Sequence, residues 1–147
     1  MSLEGDVRRM ARTRPFDLLP REALQLIAFS CSKKALEAGE TLFEEGEPAD
    51  AAYFVLSGAI DLVAHGAERR VGSDALIGET ALIAQVPRRA GARAAEDALA
   101  LRIPGEVFRR VLSEFPQSAA RIHAAASARA RDLVEQLEAV RARGFDV

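Results

Sequence analysis

The stretch from Ile77 to Ala94, IGETALIAQVPRRAGARA, places one acid and three arginines among small apolar residues. Gly78-Glu79 opens a short run of helical character, ETALIA, which the Gln85-Val86-Pro87 segment ends. A helix start presents unpaired backbone N–H groups and a partial positive charge, and it therefore takes anions. Glu79 in that first turn complements the helix dipole as a capping acid. It is also placed to accept from hydroxyls of the same ligand that brings the anion, and that combination describes a sugar phosphate.

Arg88 supplies the second half of this chemistry. The residues after Pro87 read as a strand in which Arg88, Ala90, Ala92 and Ala94 share one face, while Arg89, Gly91 and Arg93 share the other. The alanine face is small and apolar, hence inward, so Arg88 points at the interior and requires an anionic partner. A guanidinium clamps two oxygens of one phosphate group; an internal pair with Glu79 is the plain structural alternative. Arg89 and Arg93 fall on the solvated face.

The elements that must hold these residues follow from periodicity. Residues 4–14 read as a polar helix stopped by Pro15, and Arg21 to Ser30 as a short amphipathic helix with Leu24, Ile27 and Ala28 inward. From Lys33 onward glycines punctuate short runs, TLF, YFVLSG, AIDLVA and RRVG, too short and too rich in β-formers for helices. This middle part reads as a compact all-β unit of short hairpins, a jelly-roll-like barrel or an antiparallel β-roll. Helical spacing returns in GEVFRRVLSEF, between Gly105 and Pro116, and then in a long helix from about Gln117 to Arg143. Ala126, Ala130, Leu133, Leu137 and Val140 on that helix alternate steps of four and three, so it reads equally as a homodimer seam or as a helix docked on the roll. The fold class is α+β, mainly β: one domain over 1–147, with N-terminal helices in 1–32, the β-roll in 33–104 and C-terminal helices in 105–143.

The whole-chain balance narrows the function classes. Twenty basic and 22 acidic residues leave a formal charge of −2, which offers no general attraction to nucleic acid. The single cysteine, Cys31, forbids an internal disulfide and suits a reducing compartment, so a cytoplasmic site is expected. No apolar run approaches the ~20 residues that cross a bilayer, so no membrane partner is expected. His65 and His123 lack neighbours at metal-ligand spacing, no nucleophile–base pair is recognisable, and no enzyme, metal site or cofactor is expected.

The residues carry a resemblance. PFDLLP, AGETLFEEGEPADAAYFVLSGAIDLV, IGETALIAQVPRRAGARA and VFRRVLSEFP together resemble a cyclic nucleotide-binding domain, the β-roll shared by the bacterial catabolite activator family, the regulatory subunits of protein kinase A and the cyclic nucleotide-gated channels. The similarity includes most of the chain. Its most specific part is the phosphate-binding cassette over 77–94, in which Ile77, Gly78, Glu79, Ala81, Leu82, Arg88, Ala90, Ala92 and Ala94 fit the family pattern. The resemblance implies that Glu79 accepts the ribose 2′-hydroxyl and that Arg88 pairs with the cyclic phosphate. Backbone amides of Thr80, Ala81 and Arg89 would close round the same oxygens, and Leu62 and Leu76 would line the ribose and base. The implied ligand is cAMP or cGMP, and the implied function a sensor module that signals through its C-terminal helices to an effector the sequence does not name.

Three positions depart from the pattern. Arg89 stands where Ala, Ser or Thr is usual, and its lack of the hydroxyl that accompanies cGMP preference leans the reading to cAMP. Asp74-Ala75 replaces Gly-Asp before the cassette, and Ala52 replaces a bulkier residue. The helix-turn-helix that follows the long helix in the catabolite activators has no counterpart before Val147, so direct DNA binding is not expected. The alternative function is a non-catalytic interaction scaffold of the same fold whose pocket is empty or takes another ligand.

Overall fold

The structure is a computed structural model that describes residues 3–128. Its first helix, α1 (Leu3–Met10), has Glu4 and Asp6 in the first turn and Arg8 and Arg9 in the last, the arrangement the helix dipole favours. It ends earlier than the expected residue 14. Thr13 N–H closes on the Met10 carbonyl (2.9 Å), and a 3₁₀ turn at Phe16–Leu18 draws the chain inward. The cause is Phe16, which is fully buried and meets the Phe108 ring edge to face at 5.9 Å, while Pro15 denies Arg14 helical geometry. The second helix, α2 (Arg21–Phe29), buries Ala23, Leu24, Ile27 and Ala28, the face its periodicity indicated.

Eight antiparallel strands follow: β1 (Ser32–Leu36), β2 (Thr41–Phe43), β3 (Ala51–Ser57), β4 (Ile60–Ala64), β5 (Ala67–Val71), β6 (Leu76–Ile77), β7 (Gly91–Ala94) and β8 (Ala98–Pro104). They form two four-stranded sheets in the orders β1-β8-β3-β6 and β2-β7-β4-β5. The family-type β-roll expected from the sequence is therefore present.

The first sheet separates two cores. On β3, Ala52, Phe54 and Leu56 join a helix-side cluster with Phe16, Ile27 and Phe108, whereas Ala51, Tyr53 and Val55 join the roll interior with Phe43, Ile60, Ala92 and Ala94. Alternation along a strand sends successive side chains to opposite faces, and burial on both faces explains why the first six residues of β3 are all buried. The register carries this partition to β6: Phe54 pairs with Leu76 and Tyr53 with Ile77.

The third helix, α3 (Gly105–Glu114), buries Phe108, Val111 and Leu112 against the helix side. A fourth, α4, runs over residues 116–128, burying Ile122 and leaving Ala126 half-buried. The remaining seam positions, Ala130, Leu133, Leu137 and Val140, lie outside the described residues.

One element of the helix side is poorly compensated. Asp6 is fully buried, both carboxylate oxygens lack a hydrogen bond, and its ion-pair contact with the Lys33 ammonium is a long 3.9 Å. An unsatisfied buried polar group costs about 1–3 kcal/mol. Replacing Asp6 with Leu should raise the urea-unfolding free energy by an amount of that order, and Lys33→Met should lower it; equal or opposite effects in equilibrium unfolding would remove this account of Asp6.

Candidate ligand-binding site

β6 delivers the chain to Gly78, which adopts a left-handed conformation with φ of 70°. A second constraint acts at the same residue: a Cβ there would stand 2.5 Å from Arg88 Nη1. Glycine is therefore required both by the backbone angle and by the guanidinium packed against it. The expected helix from Glu79 is a single 3₁₀ turn, Glu79–Leu82, because Ala81 and Leu82 drop into the core and the chain must then cross to Pro87, which bridges to Pro48. Glu79 is half-buried and Thr80 exposed. The Ala81 N–H donates to the Gly78 carbonyl across the turn at 3.0 Å.

Arg88 does not lie on a regular strand, since β7 begins only at Gly91, yet its inward direction is as parity indicated. Its backbone is pinned on both sides: its N–H donates to the Glu47 carbonyl at 2.7 Å, and its carbonyl accepts from Gly46 N–H at 2.8 Å. The side chain is 4% exposed. Nη2 donates to the Ala51 carbonyl at 2.7 Å and lies 3.7 Å from Asp50 Oδ1. The guanidinium stacks 4.0 Å from the centre of the Phe43 ring and 5.9 Å from that of Tyr53. Nε and Nη1 are buried without a hydrogen-bond partner. Burial lowers the Arg88 pKa from its ordinary value, opposed by Tyr53, Asp50 and Glu47. The group nevertheless stays charged, because free arginine titrates so far above neutrality. A buried cation with two donor nitrogens unspent is costly by itself and complementary to a small anion.

The remaining expected residues divide. Ala92 and Ala94 are buried, Ala90 is half-buried, and Arg89 and Arg93 face solvent, Arg93 at 3.6 Å from Glu68. Leu62 lies opposite Ala92 and packs against the roll interior. Leu76 requires a correction: the β3–β6 register turns it to the helix-side cluster, so the interior position on that strand belongs to Ile77.

Sequence reasoning gave no role to Asp50, Phe43 or Arg109. Asp50 approaches Arg88, pairs with Arg102 Nη2 at 3.1 Å, and accepts the Gly105 N–H on its carbonyl at 2.9 Å. Arg109 Nη1 donates to the Ala81 carbonyl at 2.9 Å, and Gly105 lies so close to that carbonyl that a side-chain Cβ would overlap it. The start of α3 is thus held by both halves of the site. The available signal was an acid directly preceding β3, a run too apolar to face water on either side.

Two open clefts of about 580 and 550 Å³ lie elsewhere, one between α1 and α2 and one between Asp17–Pro20 and residues 114–121, and neither is lined by a residue of 77–94. The Arg88 donors are buried rather than displayed. Among the described residues no three His, Cys, Asp or Glu side chains group as a metal site, and no helix is long and apolar enough to cross a membrane. The Cys31 thiol is pushed up to about 12 by burial, which makes it an inert packing group. Gly78→Ala should lower stability by about 1–2 kcal/mol for its backbone angle and further for the Arg88 contact. Gly39→Ala, at φ 86° with open space around its Cβ, isolates the first contribution. Equal losses in the two variants would show that Gly78 does not shape the Arg88 site.

Comparison with known proteins agrees with this geometry. Residues 33–115 match the model of the cyclic nucleotide-binding domain. The structure of a cyclic nucleotide-binding-like protein from Brucella abortus is 38% identical, with 74% of this chain and 98% of that one covered and a TM-score of 0.67. The catabolite activator protein of Thermus thermophilus is 25% identical over 90% of this chain and 62% of its own, with a TM-score of 0.69. An uncharacterized NTE family protein of Mycobacterium tuberculosis is 36% identical over 98 residues, 65% of this chain but 17% of that protein, so the chain spans a small part of such relatives. With its two-sheet roll, its glycine-led turn and its buried arginine, the chain belongs to the cyclic nucleotide-binding domain family.

Proposed function

We propose that the protein is a non-catalytic sensor that binds a 3′,5′-cyclic nucleotide, cAMP in preference to cGMP, and transmits binding through its C-terminal helices. The observation that carries this reading is Arg88: a guanidinium with Nε and Nη1 buried and unpartnered, seated against Gly78. A cyclic phosphate would spend those donors as a fork, and Glu79, on the adjoining turn, would accept the ribose 2′-hydroxyl. The Thr80 and Arg89 amides would assist. The Ala81 amide would do so by sharing or releasing its bond to Gly78. The cAMP preference rests on position 89, where an exposed arginine replaces a hydroxyl that would face a guanine.

Transmission follows from what the site touches. Any movement of Ala81 on ligand entry reaches α3 through Arg109 and Gly105, and any withdrawal of Arg88 from Ala51 and Asp50 reaches the same helix start through the Asp50 carbonyl. A ligand shifts this equilibrium only by preferring one arrangement, and the preferred one would bring the C-terminal helices over the nucleotide. Those helices would act on a second copy through the seam that includes Ala126, or on an effector. The reading places the module in the cytoplasm, where cyclic nucleotides are sensed and a lone thiol remains reduced.

Calorimetric titration tests the ligand. Saturable binding of cAMP, weaker binding of cGMP, and loss of both in folded Arg88→Ala are expected. Absence of binding at millimolar nucleotide in folded wild type would end the sensor reading and leave the interaction scaffold. For transmission, Arg109→Ala should leave cAMP affinity within about threefold while the ligand-induced change in hydrogen exchange of α3 largely disappears; an undiminished change would place the coupling elsewhere.

A further inference from the structure

Among the described residues, His65 and Asp74 are the non-glycine residues with positive φ. His65 sits in an exposed hairpin turn, whereas Asp74, at φ 69°, occupies the turn that leads through Leu76 and Ile77 into Gly78. This turn is welded to β3: Asp74 N–H donates to the Val55 carbonyl at 2.8 Å, and Val55 N–H donates to the Ala75 carbonyl at 2.9 Å. The left-handed region is disfavoured for most residues with a Cβ; Asp is among the few that visit it, and a side-chain contact adds to the two backbone bonds that hold Asp74 there.

That contact comes from α1, 65 residues away in sequence. Arg9 Nε donates to Asp74 Oδ1 at 2.8 Å, Arg9 Nη2 donates to the Leu56 carbonyl at 2.7 Å, and the guanidinium lies 5.8 Å from the centre of the Phe54 ring. The Arg9 side chain is 23% exposed and that of Asp74 55%, so the ion pair lies at the surface, while the bond to the Leu56 carbonyl is the part-buried half of the contact that fixes the guanidinium. One planar fork thus ties the Asp74 turn to the end of β3, and β6 starts two residues later at a fixed place.

We infer that Arg9 is a positioning residue for the ligand site: by holding Asp74 left-handed it sets where β6 delivers Gly78 and Glu79, and so couples the docking of α1 to ligand affinity. The inference rests on the reading of Gly78 to Ala90 as a nucleotide site. The coupling is reciprocal, so ligand at that site also strengthens the docking of α1.

The test combines Arg9→Ala, Asp74→Gly and the double variant in the full chain, read by amide hydrogen exchange without ligand and by cAMP affinity. Glycine adopts the required φ unaided, so Asp74→Gly should keep the turn while removing the ion pair. In Arg9→Ala, exchange at the Val55 and Asp74 amides should quicken and cAMP affinity should fall roughly five- to tenfold. In the Asp74→Gly background the same Arg9 change should alter both by less than about twofold. Unchanged exchange in Arg9→Ala, equal losses in both backgrounds, or an affinity loss in Asp74→Gly as large as that in Arg9→Ala would each overturn the inference. Should Arg9→Ala not fold, Arg9→Lys, which reaches only one of the two acceptors, must show an intermediate effect on exchange. Failure of wild type to bind any cyclic nucleotide would sink the nucleotide reading alone, since the exchange comparison still decides whether Arg9 holds the turn.

Discussion

A buried cation organises the described part of this molecule. Arg88 is held by a β3 carbonyl, by the face of Phe43 and by two backbone bonds to the Gly46–Glu47 turn, and two of its three nitrogens have no hydrogen-bond partner. Desolvating a guanidinium without satisfying it opposes folding, so the contacts that fix it must be made by rigid neighbours. The roll supplies them. β3 is buried on both faces, its position fixed by β8 on one side and β6 on the other, and Phe43 presents an aromatic face where a second cationic contact costs nothing in hydrogen bonds. An anion that satisfies Nε and Nη1 removes the remaining penalty, and this links the stability of the site to its occupancy.

The position of the first sheet gives the proposed site a route to the helices. One of its faces closes the interior in which Arg88 lies, and its other face carries the hydrophobic contacts of α1, α2 and α3. Polar contacts link its two sides at the start of α3. The Ala81 carbonyl accepts from Arg109 and the Asp50 carbonyl from Gly105, so the helix that follows β8 begins on atoms of the proposed site. On the far side, Arg9 reaches the turn ahead of β6. Helical elements therefore reach this part of the chain at two points, Arg9 on the Asp74 carboxylate ahead of the cassette and Arg109 on the Ala81 carbonyl within it.

Much of this arrangement was readable from residue types. The inward direction of Arg88 followed from the alanines at two-residue spacing, and the solvated direction of Arg89 and Arg93 from the alternate positions, although regular pairing starts only at Gly91. The roll followed from short glycine-punctuated runs. Three features did not follow. The face of Leu76 depends on the register between β6 and β3, which no local pattern encodes, and the true register turned it to the helices. The single turn at Glu79–Leu82 replaced a longer helix because burial of Leu82 and the reach to Pro87 outweigh propensity over so few residues. Asp50, Arg9 and Arg109 have no charge partner at nearby sequence spacing that marks them out, and their partners lie 28 to 65 residues away or are backbone atoms, which composition does not distinguish.

The central claim is that the unpartnered nitrogens of Arg88 are reserved for a phosphate. The most direct measurement is the ¹H–¹⁵N NMR signal of the Arg88 Nε–H group, assigned by its loss in an Arg88→Lys variant, during titration with cAMP and, separately, with adenosine. The account predicts a new, downfield-shifted and slowly exchanging Nε–H signal with cAMP and none with adenosine, which lacks the phosphate. An Nε–H signal unmoved at saturating cAMP, or moved equally by adenosine, would contradict it.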